Sequence, residues 1–161
     1  MDTLKGPVLT MLCGIPTSGK STYLANKPQW SSSNYAVLST DSYIEYVAKA
    51  NNSTYNEMFD QLISKAQEQL NSDLREALKA NKNIIWDQTN LTPKARRKKL
   101  TLIPAHYEKH AVWFDISVEE ALKRNKCRLG KVIPARVIIQ MANSFTPPTL
   151  TESFTHVIKA N

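Results

Sequence analysis

Residues 14–21 read G-I-P-T-S-G-K-S, the pattern G-x-x-x-x-G-K-S. No other feature of the chain narrows its architecture as far. Such a loop works only where a strand feeds it and a helix leaves it, because its backbone N–H groups must converge on phosphate oxygens. Both flanks are present. Val8–Cys13 is an apolar run, and a helical pattern starts near Gly19 and stops before Pro28. Gly14 and Gly19, two of only four glycines in the chain, let the backbone turn and bring its N–H groups onto phosphate. Thr17, Ser18 and Thr22 complete the expected cradle. Lys20 is expected to reach the β- and γ-phosphates and the Ser21 hydroxyl to hold Mg²⁺. The implied ligand is ATP or another nucleoside triphosphate, with Mg²⁺, and the positive end of the helix adds to its hold.

The rest of the chain alternates apolar β-rich runs with helical patterns. Further strands are expected at Ala36–Ser39, at N-I-I-W-D (residues 83–87), at H-A-V-W-F-D-I (residues 110–116) and at T-H-V-I-K-A (residues 155–160). Thr40 or Asp41 is expected to cap a helix reaching about Lys49. A long helix from about Tyr55 to Ala80 carries apolar residues at spacings of three and four, from Met58 to Leu78. Thr92-Pro93 predicts a helix over about 93–103, Ser117 opens a capping box S-V-E-E, and Pro134 starts a helix to about Asn143. The expected fold is α/β: a three-layer P-loop NTPase or kinase fold, with a five-stranded parallel sheet, helices on both faces and a helical lid. Right-handed crossovers bring the C-terminal ends of all the strands to one edge, where ligands bind.

Composition bounds the rest. The 161 residues are read as one domain, 1–161, and a hydrophobic content of 42% is that of a folded chain. No stretch approaches eighteen apolar residues, so no membrane partner is expected. The first residues, M-D-T-L-K-G-P-V-L-T-M-L, lack the pattern of a secretory leader. Cys13 and Cys127 form no C-x-x-C pair, so a reducing cytoplasm, of a cell or of a phage host, is expected. Net charge is +7, and it is concentrated. Residues 94–99 (K-A-R-R-K-K) and 123–131 (K-R-N-K-C-R-L-G-K) hold five basic residues each and no acid. The other 11 basic residues face all 14 acids, leaving the remainder at −3. Each run alone reads as a solvated helix face. Together they point to a polyanion.

Two expected strand ends carry a carboxylate, Asp41 and Asp87. Phosphoryl transfer to a hydroxyl needs a group to take the proton and help in holding the metal, and two acids on the ligand edge share those tasks. The second basic run falls where a lid over the nucleotide belongs, about 123–134. Arg124 and Arg128, one helical turn apart, are placed to neutralise transition-state charge. On the helix after Asp87, Arg96 or Arg97 is expected to face a nucleic-acid phosphate, with Lys98 and Lys99 following the backbone. His106, His110 and His156 show no metal-ligand spacing and read as surface or capping residues.

These segments also resemble a family. G-I-P-T-S-G-K-S-T, L-S-T-D-S-Y, W-D-Q-T-N-L-T-P-K-A-R-R-K, the K-R-N-x-x-R lid and M-A-N-S-F-T-P-P-T stand in the order seen in the kinase domain of phage-type polynucleotide 5′-hydroxyl kinases, across essentially the whole chain. The D-Q-T-N segment is also similar to the P-loop domain of the heterogeneous nuclear ribonucleoprotein U group. The kinase resemblance implies Asp41 as general base, Lys20 and Ser21 on phosphate and Mg²⁺, and Arg128 with its neighbour Arg124 on the donor. It implies Asp87, Thr89 and Asn90 beside the acceptor channel. Two positions depart from the phage pattern: Ile44 stands where an acceptor-binding arginine is found, and Gln88 separates Asp87 from Thr89. The function expected is transfer of the γ-phosphate of ATP to a hydroxyl of DNA or RNA, a 5′ end first. One alternative is a nucleoside, nucleotide, modified base or small metabolite as acceptor. Another is a non-catalytic module that binds ATP and RNA.

Overall fold

A computed structural model describes residues 5–161, so the first four residues of the run read for a leader lie outside the described residues. Five strands form one sheet: β1 (Val8–Cys13), β2 (Tyr35–Leu38), β3 (Asn83–Asp87), β4 (Glu108–Trp113) and β5 (His156–Lys159). Their order is β2-β3-β1-β4-β5 and every pairing is parallel. The helices are α1 (Lys20–Ala25), α2 (Thr40–Ala50), α3 (Tyr55–Lys79), α4 (Pro93–Leu100), α5 (Val118–Lys126) and α6 (Ala135–Ser144). The fold is therefore the α/β P-loop kinase arrangement expected from the loop.

Alternation along the strands assigns the two faces. Leu9, Met11, Ile84, Trp86 and Ala111 point to one face, where Leu70, Leu74 and Ala77 of α3 and Leu100 of α4 cover them. Leu12, Ile85, Val112 and Phe114 point to the other, under Tyr23 and Leu24 of α1 and Trp30. Trp86 is core, as its apolar run predicts, and Trp30 packs on Tyr23 with ring centroids 5.8 Å apart. The middle of α3 turns its stripe from the sheet to α2, where Leu62 and Ala66 enclose Ile44. No described helix is long and apolar enough to cross a membrane.

Three local details differ from the sequence expectation. The cap of α2 is Ser39, whose Oγ accepts from the Ser42 N–H, so Thr40 and Asp41 fall inside the first turn. Strand β4 starts at Glu108 and ends at Trp113, because its ladder follows the register of β1 from Val8 to Cys13. The capping box at Ser117 is half formed. Ser117 Oγ accepts from Glu120 N–H, but the Glu120 carboxylate turns to Arg124.

Candidate active site

The C-terminal ends of β1, β2 and β3 lead into one cleft of about 970 Å³. The loop after β1 forms its floor. Gly19 is left-handed, with φ +109°, immediately before α1. At Gly14 a Cβ would stand 2.7 Å from Ser18 Oγ and 3.1 Å from Phe114 Cβ, so no side chain fits. One expectation is corrected here. The Gly14 N–H donates to the Thr89 carbonyl at 2.9 Å and is not open to a phosphate. Gly14 instead lets the loop close against Phe114 and the end of β3.

Lys20 Nζ donates to the carbonyls of Gly14 (2.7 Å) and Ile15 (2.9 Å), folding back over its own loop. Burial pulls its pKa down to about 8 against the opposing pull of Asp87 and then Asp41. Ser21 and Thr22 line the cleft and are exposed. Ser18 also lines it, with a buried Oγ that has no hydrogen-bond partner among the described residues. The Thr17 hydroxyl donates to the Ala121 carbonyl, and its own carbonyl accepts from Arg124 Nη1 at 3.1 Å, tying the loop to α5. Arg128 lines the cleft, with Nη1 buried and unpartnered among the described residues.

Across the cleft, Asp41 in the first turn of α2 is held by two side chains. Tyr55 donates its hydroxyl to Oδ1 at 2.8 Å, and Lys131 Nζ lies 3.2 Å from Oδ2. Lys131 also pairs with Glu45. Burial raises the pKa of the Tyr55 hydroxyl, and the Asp41 charge raises it further. Asp87, at the end of β3, also lines the cleft; burial pushes its carboxyl above the ordinary range while Lys20 pulls the other way. The second basic run is thus divided. Arg124 reaches the loop, Arg128 lines the cleft, and Lys131 reaches the carboxylates of α2.

The first basic run does not present the surface its composition implies. Arg96 is fully buried. Its Nε and Nη2 donate to the two oxygens of Glu152 at 2.7 and 3.1 Å, and its Nη1 donates to the Asn90 carbonyl at 2.8 Å. It is therefore not an acceptor contact. Asn90 is not one either. It is buried, with φ +47°, and its Nδ2 donates to Leu12 O at 2.7 Å, joining the ends of β1 and β3. Lys99 is turned inward onto Gln88 Oε1 and Asn90 Oδ1 rather than following a backbone. Lys94, Arg97 and Lys98 remain exposed. Thr89 lines the cleft. Gln88, the inserted residue, accepts from Trp86 Nε1 and donates to Thr40 Oγ1, fastening α2 to β3. Ile44 is fully buried between α2 and α3 and does not line the cleft.

The Arg96–Glu152 pair makes a stability prediction. Glu152→Ala strands a buried guanidinium and should cost about 3–5 kcal/mol in urea unfolding. Burial works to raise the Glu152 pKa, but the Arg96 and Thr149 hydrogen bonds overcome it and hold the carboxyl below its ordinary value. A depressed carboxyl stabilises the fold above its unfolded pKa, and that stability is lost as pH falls through the folded one. The difference between wild type and Glu152→Ala should therefore be full at pH 7 and shrink in acid.

Sequence reasoning missed Tyr55, Lys131 and Glu45. Glu45 is one turn beyond Asp41 on α2, a spacing that was readable. Tyr55 and Lys131 come from distant segments, and only the fold brings them to Asp41. The donor set fits a nucleoside triphosphate. A polyphosphate in the cleft would partner the orphaned Ser18 hydroxyl and Arg128 guanidinium. The Ser21 hydroxyl and the Asp87 carboxylate are hard oxygen donors suited to Mg²⁺.

Residues 9–148 match the family model AAA_33, described as an AAA domain. Among solved structures, the chain is similar to a protein of the Pnkp1/Rnl/Hen1 RNA repair complex. The identity is 25% and the TM-score 0.66, over 89% of this chain and 45% of that one. This chain thus spans less than half the length of that relative. It is also similar to a fungal RNA kinase (13% identity, TM-score 0.58, 96% of this chain and 74% of that one). A gluconokinase from Sinorhizobium meliloti 1021 matches at 12% identity and TM-score 0.55, over 96% and 82% of the two chains. At that identity the last two share the fold alone.

Proposed function

We propose, for a chain that belongs to the AAA_33 family of AAA domains, an ATP- and Mg²⁺-dependent kinase that phosphorylates a hydroxyl of DNA or RNA, a 5′ end first. The observation that carries the reading is that Asp41, Lys20 and Arg128 all border one cleft. The polymer as acceptor is supported by the likeness to the RNA repair complex protein and by exposed Lys94, Arg97 and Lys98 on the helix that follows Asp87.

Each residue then has a task. The bound nucleotide and its Mg²⁺ supply the phosphoryl group and shield its charge. Lys20 exchanges the carbonyls of Gly14 and Ile15 for phosphate oxygens. Ser21 and Asp87 hold the metal position, directly or through water. Asp41 Oδ2 takes the proton of the incoming hydroxyl once Lys131 yields, while Tyr55 keeps the carboxylate oriented through Oδ1. Arg128, assisted by Arg124, neutralises charge that develops on the transferred group. Residues 123–134 act as a lid that excludes water.

A second acceptor class has its own support. Arg96 and Lys99 are turned inward, which removes two groups expected on a polymer phosphate, and Ile44 is buried. A free nucleoside or small polyol is the acceptor this favours. The test is a competition with γ-labelled ATP, offering 5′-OH oligonucleotides of DNA and RNA against nucleosides and sugars. Label on the oligonucleotide, resistant to excess nucleoside, is expected. Label only on the small acceptors selects the second reading, and no label on any hydroxyl overturns both.

A further inference from the structure

Strands β4 and β5 begin at the sheet edge opposite the cleft, and there the parallel register assembles a polar cluster from residues 46–48 positions apart in sequence. Glu108 and His110 stand two apart on β4 and so share a face. His110 and His156 are register partners, with ring centroids 4.5 Å apart. His110 Nε2 lies 3.0 Å and His156 Nδ1 3.2 Å from the same oxygen, Glu108 Oε1. His110 Nε2 is buried, with no hydrogen-bond partner among the described residues. The Thr155 hydroxyl lies 3.2 Å from His156 Nδ1 and 3.4 Å from Glu108 Oε1. The helix and turn on this face cover Leu12, Ile85, Val112 and Phe114 further along the strands, and Ile158 is 47% exposed. The Glu108 side chain is half-buried and that of His156 exposed, so the cluster reaches solvent.

We propose that Glu108, His110 and His156 form a site for a divalent transition ion, Zn²⁺ foremost, with a fourth position open to water. A tetrahedral ion with bonds of 2.0–2.2 Å needs donor atoms roughly 3.3 Å apart. The two N···O separations are within a few tenths of an ångström of that value, and all three ligand atoms lie within 4.8 Å of one another. Two imidazoles and one carboxylate select a borderline ion over Mg²⁺ or Ca²⁺, which prefer oxygen. The ion would fasten β5, an edge strand held by backbone pairing on one side only, to β4. It is separate from the Mg²⁺ of the proposed reaction and stands whether or not that reaction is correct.

The full chain, freed of metal with a chelator, is titrated with Zn²⁺ and with Co²⁺. One equivalent should bind, with the visible spectrum of tetrahedral Co²⁺. Zn²⁺ at about 100-fold above its Kd should raise the unfolding midpoint. His156→Ala removes an exposed side chain and should weaken binding by more than about tenfold, since even an outer-shell partner is worth 10–100-fold. His106→Ala should bind as wild type, because that ring is engaged with Asn81 elsewhere. In wild type, Zn²⁺ should shift the imidazole NMR signals of His110 and His156 and leave those of His106. Zn²⁺ binding to His156→Ala at wild-type strength, or unmoved His110 and His156 signals, overturns the site.

Discussion

Arg128→Ala should slow phosphoryl transfer by about 10³–10⁵-fold, the range for an arginine placed on a transferred phosphoryl group. The same change should leave the nucleotide-free protein as stable as wild type or more so. Its Nη1 is buried and bonded to none of the described residues, and such a donor carries a desolvation cost of about 1–3 kcal/mol or more. Activity and stability therefore move in opposite directions, which a merely structural arginine would not do. Arg128→Lys should restore little, because an ammonium does not reproduce the planar fork. Single-turnover transfer from γ-labelled ATP and urea unfolding measure the two quantities. An alanine variant within about tenfold of wild-type rate contradicts the role.

Asp41→Asn keeps the shape of the side chain and its bond to Tyr55 but removes the proton acceptor. Transfer should fall by about 10²–10⁴-fold, the usual worth of a positioned general base. ATP binding, read by calorimetry, should change little if Asp41 serves the acceptor, as proposed. The lost pairing with Lys131 should cost at most about 1 kcal/mol, since both groups keep access to water. Normal turnover in Asp41→Asn shows that the proton leaves by another route. Equal loss of ATP affinity and of turnover shows that Asp41 serves the donor instead.

The glycine-loop side of the cleft was legible because its determinants are local. A strand, a loop and a helix stand in sequence from Val8 to Ala25, and β2 and β3 each run into an acid that parallel crossovers carry to the same edge. The surroundings of Asp41 and of the first basic run were not, because their determinants are distant. Arg96 reads as a free cation until Glu152, 56 residues later, folds over it. Ile44 reads as a missing contact until α3 encloses it. Lys131 belongs by composition to a donor-facing run, yet it reaches Asp41. His110 and His156 lack any spacing signal because strand pairing, which sequence distance does not encode, makes them neighbours. The Gly14 N–H was misassigned for a similar reason: its partner is a carbonyl on another strand end.

Lys20 bonded to Gly14 and Ile15 has a consequence for the strength of phosphate binding. The loop already satisfies its own cation, so an incoming anion must replace two carbonyl oxygens at once. The gain from pairing the ammonium is offset by the two bonds it gives up, and the net hold is smaller than the charge alone implies.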